Sequence, residues 1–190
     1  KTMSPSEWNT CTGETCLAAE ADIGHIFSPP STDETNPLKT NQITLLNNNR
    51  WGVIMGNGYN STNQRPVLLI QYLDGNKELL RIPATTETPC TQAQIDASNS
   101  IENTCRNSMD NGLSAPRLVD INGDGRPDIV YAGDIQGNLW KFFIGSKSSS
   151  NWGVAFDGKP LFTATGGTQG SPDSRTKRQP ITASPTVRAN

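Results

Sequence analysis

The chain has 190 residues, among them 17 Gly and 13 Pro, with 18% charged residues and a formal net charge of -2. A chain of this length forms one large or two small domains, and its excess of turn formers over helix formers favours an all-β fold. The balanced charge argues against a nucleic-acid-binding protein, which would carry a basic face. The sequence also contains no apolar run of the about 18 residues needed to cross a bilayer.

The four cysteines fall into two local groups, Cys11 with Cys16 and Cys90 with Cys105. Neither group has CxxC spacing or the histidine neighbours that a zinc site would need. An even number of cysteines in separate loops fits disulfides formed in an oxidising compartment. We predict the two local pairings and an extracellular or cell-surface location, although spacing alone does not prove the connectivity.

Residues 1–23 are polar and irregular, and from residue 24 onward apolar, β-branched runs alternate with turn signals. Such alternation is typical of consecutive strands. Strands are predicted in this half at His25–Pro30, Asn41–Leu46, Trp51–Met55, Pro66–Tyr72 and Glu78–Ile82, with a hairpin at Asp74-Gly75. An insertion at 84–111 follows, with a short helix at 92–97, and the Cys90–Cys105 disulfide would tie it to the fold.

The second half continues the pattern. Strands are predicted at Arg117–Ile121, at Ile129–Ala132, after the turn Gly133–Gly137, and at Ile181–Val187, with a further hairpin at Asp157-Gly158. Large apolar side chains in these and the earlier strands are expected in the core: Trp51, Tyr131, Leu139 and Phe142.

A weak internal repeat organises these strands. Ser28-Pro-Pro30, Ser114-Ala-Pro116 and Ala183-Ser-Pro185 each precede a predicted strand, and glycine-marked turns separate the apolar strands in two of the repeats. Repeated antiparallel units of this kind are typical of β-propeller blades. We therefore predict β-propeller-like blades of antiparallel strands over residues 24–190. Blade-sized repeats of about 40–50 residues would give three or four blades, which is a partial propeller.

The stretch between two of the strands has the pattern of a calcium loop. Asp120, Asn122, Asp124 and Asp128 occupy positions 1, 3, 5 and 9 of an EF-hand loop, with Gly125 at position 6. Calcium prefers oxygen ligands, and alternate short side chains on a tight coil supply them. Position 12 is a tyrosine rather than glutamate, and β-branched runs replace the flanking helices, so the loop is EF-hand-like and lies between strands. A metal-free turn is the alternative.

The predicted calcium ligands are Asp120, Asn122, Asp124, the backbone carbonyl of Arg126, and Asp128. Because Arg126 would bind through its carbonyl only, its side chain is expected to be dispensable. The lone histidine, His25, stands among apolar residues, where a structural role is commoner than catalysis.

Three segments resemble the C-terminal β-propeller of the PilC/PilY family of type IV pilus tip-associated adhesins: 52–61, 111–116 and 120–142. The most specific of them is the calcium loop followed by Tyr-Ala-Gly-Asp-Ile-Gln-Gly-Asn-Leu-Trp-Lys-Phe. The resemblance implies calcium binding through the five residues named above, support of pilus extension against retraction, twitching motility and adhesion to host cells. It also implies minor pilins and a host-cell receptor as partners, and a location at the pilus tip or outer membrane.

Two other functions use similar sequence features. Quinoprotein dehydrogenases are propellers with related Gly-x-x-Trp strand ends, which Gly137-Asn-Leu-Trp140 faintly matches. A purely structural extracellular calcium module would contain the same loop. No constellation for a cofactor or a catalytic base is recognisable in the sequence, so we expect no enzyme activity.

Overall fold

The computed structural model describes residues 20–27, 41–85, 111–164 and 179–188, and its regular structure is almost entirely β. The described residues form these strands: β1 Ile43–Leu45, β2 Trp51–Gly56, β3 Val67–Tyr72, β4 Leu79–Pro83, β5 Arg117–Val119, β6 Ile129–Gly133, β7 Asn138–Phe143, β8 Gly153–Val154 and β9 Phe162–Thr163. The predicted all-β fold is confirmed. The four cysteines, the helix at 92–97 and most of the insertion at 84–111 lie outside the described residues, as does nearly all of the segment 1–23.

The first sheet is an antiparallel meander in the order β1-β2-β3-β4. Its β3–β4 hairpin turns where it was predicted, with Gly75 at a φ of 58°. A positive φ is a conformation that glycine adopts without steric cost, so a glycine fits this turn. We call this sheet blade 1.

The second sheet, blade 2, has the order β5-β6-β7-β8 and places β9 beside β7 as well. Two short strands therefore share its outer position: β8 pairs with Phe142 and Phe143, and β9 pairs with Asn138 and Leu139. The hairpin predicted at Asp157-Gly158 is wrong, because β8 and β9 both pair with β7 and not with each other. A 3-10 turn at Phe156–Gly158 separates them instead.

Two other predicted strands are not formed in the described residues. His25 makes only an isolated bridge to Tyr59, and residues 181–187 have no strand assignment. Residues 181–187 instead dock on blade 2, where the Ile181 N–H donates to the Asp134 carbonyl at 2.9 Å. Apolar, β-branched composition favours an extended chain here, but a strand also needs a partner edge within reach.

The two blades pack face to face around one apolar core. Blade 1 contributes side chains from each of its inner strands, blade 2 does the same, and β4 contacts β8 at the sheet margin. The buried core residues are Leu46, Ile54, Leu68, Ile70, Tyr72, Ile82, Ala84, Leu113, Val130, Ala132, Trp140, Phe142, Ile144 and Trp152. Burying one large apolar side chain contributes about 1.5–3 kcal/mol, so this core is a main source of stability.

Strand alternation decides which predicted core residues are buried. Phe142 is fully buried, as predicted, whereas Trp51 is 50% exposed and Tyr131 and Leu139 are half-buried. Successive side chains point to opposite faces of a strand. The inner face of β7 carries Trp140 and Phe142, so Leu139, next to Trp140 in the strand, faces outward. The prediction selected the wrong face for Leu139, for Tyr131 and for Trp51.

The chain segment before β5 connects the two blades. Leu113 donates its N–H to the Asn57 Oδ1 atom at 2.8 Å, and its carbonyl accepts the Gly58 N–H at 3.0 Å. The next residue, Ser114, donates both its N–H and its hydroxyl to the Gly133 carbonyl of blade 2. This segment therefore fixes the spacing of the blades. Within the described residues, no helix is long and apolar enough to cross a membrane.

Candidate metal site

All five predicted calcium ligands lie on the loop that connects β5 to β6 at one end of blade 2. Residues 120–125 of this loop are exposed, Arg126 is half-buried, and Asp128 is buried. The antiparallel pairing of β5 with β6 brings the two ends of the loop together, with Val119 opposite Ile129. Asp120 and Asp128 are eight positions apart, and each lies next to one member of this pair. Strand pairing therefore brings the two ends of the loop, with these two residues, close together.

Side-chain oxygens in the loop accept hydrogen bonds from its own backbone. Four such bonds are present: Gly123 N–H to Asp120 Oδ1 at 2.8 Å, Gly125 N–H to Asp120 Oδ2 at 2.7 Å, Asp124 N–H to Asn122 Oδ1 at 2.9 Å, and Arg126 N–H to Asp124 Oδ1 at 2.9 Å. Asp and Asn commonly close turns in this way. The bonds coil the loop around the side chains that the sequence identified as ligands.

Two glycines allow this coil. Gly123 and Gly125 have φ values of 79° and 83°. A Cβ atom added at either position would meet no heavy atom within 4 Å, so the requirement for glycine is conformational and not steric. Side-chain-bearing residues pay a cost of about 1–2 kcal/mol in this left-handed region, and glycine does not.

Asp128 lies at the buried end of the loop, and its carboxylate accepts hydrogen bonds from two other residues. Its Oδ2 atom accepts the Ile121 N–H at 3.0 Å, and its Oδ1 atom accepts the Asn47 side-chain N–H at 3.3 Å. An ionised carboxylate offers about four lone-pair sites, so capacity for a further ligand is left on this buried group. Asp134, by contrast, is buried with four N–H donors around its carboxylate.

The loop acids also differ from acids that form ion pairs elsewhere. Asp22 is paired with Arg65 and Arg81, and Asp74 and Glu78 with Arg50. Within the described part of the chain, no Lys or Arg forms a salt bridge with Asp120, Asp124 or Asp128. The carboxylates of the loop thus have no protein cation as counter-ion in those ranges.

The three loop carboxylates do not form a preassembled cluster. In the described residues, no group of three or more His, Cys, Asp and Glu side chains is arranged to hold a metal ion. The donor set nevertheless fits calcium chemically, since three carboxylates, an amide oxygen and a carbonyl are all oxygen ligands.

One residue near the loop was missed by the sequence reasoning. Asn47 belongs to the turn between β1 and β2 of blade 1, and its side-chain amide lies against Asp128 across a sequence separation of 81 residues. Residues 47–49 are three consecutive asparagines. Asparagine is common in turns, so this run by itself indicates a turn and no contact with a distant loop. The predicted structural role of His25 is compatible with its position, where its ring stacks on Phe27 at 5.9 Å between centroids.

Comparison with known proteins places the chain in a family. A family model described as the PilY1 beta-propeller domain matches residues 35–190. The chain belongs to the PilY1 β-propeller family. The predicted PilC/PilY resemblance and the predicted propeller are therefore confirmed.

PilY1 relatives are similar over most of this chain. The type IV pilus biogenesis factor PilY1 of Pseudomonas aeruginosa strain PAO1 is 32% identical over 184 residues, covering 88% of the chain. A PilY1 homolog of Xylella fastidiosa strain Temecula1 is 40% identical over 145 residues, covering 74% of the chain. The chain spans only 13% and 9% of the lengths of these two relatives.

A solved structure shows the same fold. The crystal structure of the Pseudomonas aeruginosa PilY1 C-terminal domain superposes with a TM-score of 0.59 at 31% sequence identity. The match covers 90% of this chain and 30% of the solved one. The two blades described above therefore correspond to part of a PilY1 propeller.

Proposed function

We propose that this chain is a calcium-binding part of the β-propeller of a type IV pilus biogenesis factor, and that its calcium loop stabilises the fold. Family membership supports the pilus setting. The observation that supports the calcium site is the coiled β5–β6 loop, which carries five candidate oxygen donors within nine residues and has glycine at both left-handed positions.

Charge explains why calcium would stabilise the chain. Without a cation, Asp120, Asp124 and Asp128 repel one another, and Asp128 is additionally buried. A divalent cation removes this repulsion and replaces the water that burial takes from Asp128. Because the loop has no glutamate at its twelfth position, the expected Kd is in a weak range of about 10⁻⁶ to 10⁻³ M. Free calcium at about 100 times Kd would then add about 2.7 kcal/mol to the free energy of unfolding.

Calorimetric titration with calcium chloride, together with thermal unfolding with and without calcium, tests the site. Asp124→Ala removes an anionic ligand from an exposed position, so it should abolish most of the calcium-dependent rise in Tm without unfolding the protein. Asp157→Asn is the matched control, because it removes the same charge from an exposed loop of blade 2, and it should keep the full rise.

Two results would contradict the proposal. One is a wild-type chain that binds no calcium in the titration. The other is an Asp124→Ala chain that binds and is stabilised as strongly as the wild type.

In the cell, the proposed role is to support pilus extension against retraction, and through it twitching motility and host-cell adhesion, from a position at the pilus tip or outer membrane. Minor pilins and a host receptor are the proposed partners. Asp124→Ala introduced into the full-length protein should reduce the number of surface pili, counted by electron microscopy. A normal pilus count together with lost calcium binding would restrict the metal to a structural role.

The proposed function is binding and not catalysis. Dye-linked dehydrogenase assays with added quinone cofactor should give no turnover by the purified chain. Robust turnover would favour the quinoprotein alternative.

A further inference from the structure

The calcium loop of blade 2 lies directly against a turn of blade 1. That turn, residues 47–49, connects β1 to β2, and the loop connects β5 to β6. Two side chains cross the boundary between the blades: Asn47 reaches from the turn into the loop, and Arg126 reaches from the loop to the turn.

Asn47 is largely buried, and its side-chain amide nitrogen lies near three oxygens of blade 2. The Pro127 carbonyl is at 2.9 Å, the Asp128 Oδ1 atom at 3.3 Å and the Ile144 carbonyl at 3.3 Å. The amide nitrogen of Asn47 carries two hydrogens. One makes the shortest bond, to the Pro127 carbonyl, and the other is shared between the Asp128 and Ile144 oxygens. Asn47 thus contacts both the backbone and the carboxylate at the end of the loop.

Arg126 makes the reverse contact. Its guanidinium Nη1 atom donates to the Asn49 Oδ1 atom at 2.7 Å and lies 3.4 Å from the Leu46 carbonyl. Its own carbonyl is the predicted backbone ligand. The position of this carbonyl is therefore set partly by a side chain that is anchored on the other blade.

Asp128 is confined from several directions. Its carboxylate accepts from Ile121 and Asn47, and its backbone carbonyl accepts the Ile144 N–H at 2.8 Å. A Cβ atom added at Gly145 would come within 3.0 Å of its Oδ1 atom, so the backbone on that side is also close. Rotation of the carboxylate is consequently limited by contacts that include the neighbouring blade.

We infer that Asn47 and Arg126 couple the calcium loop to the docking of the two blades. Asn47 acts as a positioning residue that orients Asp128 for the cation, although it belongs to a different blade from the ligands. This inference rests on the proposed calcium binding. Coupling of this kind is reciprocal: docked blades raise calcium affinity, and bound calcium stabilises the docked blades by the same factor.

Loss of a residue that orients a metal ligand weakens metal affinity by about 10–100-fold. Asn47→Ala should therefore raise the calcium Kd of the 190-residue chain by about that factor, measured by calorimetry. It should also reduce the calcium-dependent rise in Tm. Arg126→Ala, which keeps the backbone carbonyl, should weaken binding in the same direction, in contrast to the expectation from sequence that this side chain is dispensable.

Asn48→Ala is the matched control. Asn48 is the same residue type in the same turn, but its side chain donates to the Tyr72 hydroxyl at 2.9 Å, within blade 1. Its loss should lower Tm equally with and without calcium and leave Kd unchanged. A residue with a merely structural role would behave like this control, so the difference in Tm between calcium-bound and calcium-free protein separates the two roles.

Each outcome decides the inference. Wild-type Kd and a full calcium-dependent Tm rise in both Asn47→Ala and Arg126→Ala would overturn the coupling and leave the calcium site intact. A wild-type chain that binds no calcium would overturn both the site and the coupling. If Asn47→Ala does not fold, Arg126→Ala decides alone, because the Arg126 side chain is half-buried at the margin of the contact and not in the core.

Discussion

At the scale of single residues, the buried carboxylate of Asp134 organises the turn between β6 and β7. Its Oδ1 atom accepts the Asn138 N–H at 2.8 Å. Its Oδ2 atom accepts three side-chain donors, from Asn111 at 3.1 Å, Asn138 at 2.9 Å and Trp140 at 2.8 Å. Asp134 is fully buried, so none of these donors can turn to water if the carboxylate is removed.

We predict that Asp134→Ala destabilises the chain by at least about 3 kcal/mol, because each buried donor left without a partner costs about 1–3 kcal/mol. Asp134→Asn should cost less, since its single carbonyl oxygen can still face the three side-chain donors. Its amide group would, however, oppose the Asn138 N–H. Urea unfolding followed by tryptophan fluorescence measures both changes.

The exposed acid Asp157 provides the comparison for this prediction. Asp157→Asn should change the free energy of unfolding by no more than about 0.5 kcal/mol, as is usual for surface positions. An Asp134→Ala variant as stable as this control would show that the four hydrogen bonds contribute little.

At the scale of elements, close backbone approach at two glycines determines how the connecting segments dock. A Cβ atom on Gly56, at the end of β2, would lie 2.1 Å from the Ser114 carbonyl oxygen. A Cβ atom on Gly133, at the end of β6, would lie 2.4 Å from the Ile181 carbonyl oxygen. The two strands end in the same way. The last residue of each is a glycine, and a segment from later in the chain packs against it: residues 111–116 against Gly56, and the segment that contains Ile181 against Gly133.

Gly56→Ala should therefore destabilise the chain by about 1–3 kcal/mol, the usual cost of overpacking, because the added methyl group meets backbone that cannot rotate away. Thermal unfolding measures the effect. Gly153→Ala, in β8, is the matched control, since a Cβ atom there would meet nothing within 4 Å. Equal Tm values for the two variants would contradict the close-approach explanation.

At the scale of the whole molecule, one ion-pair cluster links the N-terminal described segment to blade 1. The fully buried Asp22 accepts hydrogen bonds from Arg65 at 2.6 Å to both of its oxygens, from Arg81 at 2.9 Å and from Asn63 at 2.8 Å. Desolvation by burial raises the pKa of Asp22. The hydrogen bonds from Arg65 and Asn63 and the charges of Arg65 and Arg81 outweigh it, so the pKa lies below its ordinary value.

This depressed pKa predicts the direction of acid destabilisation. The stabilising contribution of Asp22 is fully present above the pKa of an unfolded aspartate, about 3.9, and is lost as the pH falls through the lower folded-state pKa. Asp22→Asn should lower stability at pH 7, since a hydrogen bond to a charged group contributes about 1.5–3 kcal/mol. It should also flatten the dependence of stability on pH below about 4.

Urea unfolding of both proteins from pH 7 down to pH 2 measures this dependence. Asp157→Asn serves again as the control for removing a carboxylate. Parallel stability curves for wild type and Asp22→Asn across this range would show that protonation of Asp22 is not coupled to folding.

The sequence by itself determined the features that depend on neighbouring residues. Alternating apolar runs and turn signals identified β2, β3, β4, β6 and β7 with ends within a few residues of those observed. The spacing of Asp120, Asn122, Asp124 and Asp128 identified the coiled β5–β6 loop. The hydrogen bonds that coil this loop join residues at most five positions apart, and its left-handed backbone positions are glycines within the same stretch. Such local preferences depend on residues that are close together in the sequence, so they can be predicted without the tertiary structure.

Tertiary structure alone decided which strand faces are buried and which distant segments meet. Trp51 and Leu139 have the composition of core residues, but the packing of one blade on the other buries the opposite faces of their strands. Asp157-Gly158 predicted a hairpin, yet the strands on either side of it, β8 and β9, both pair with β7. Asn47 contacts Asp128 across 81 residues of chain, and no local pattern connects them. These outcomes depend on how the two sheets pack against each other, and that packing is decided by long-range contacts that no short stretch of sequence contains.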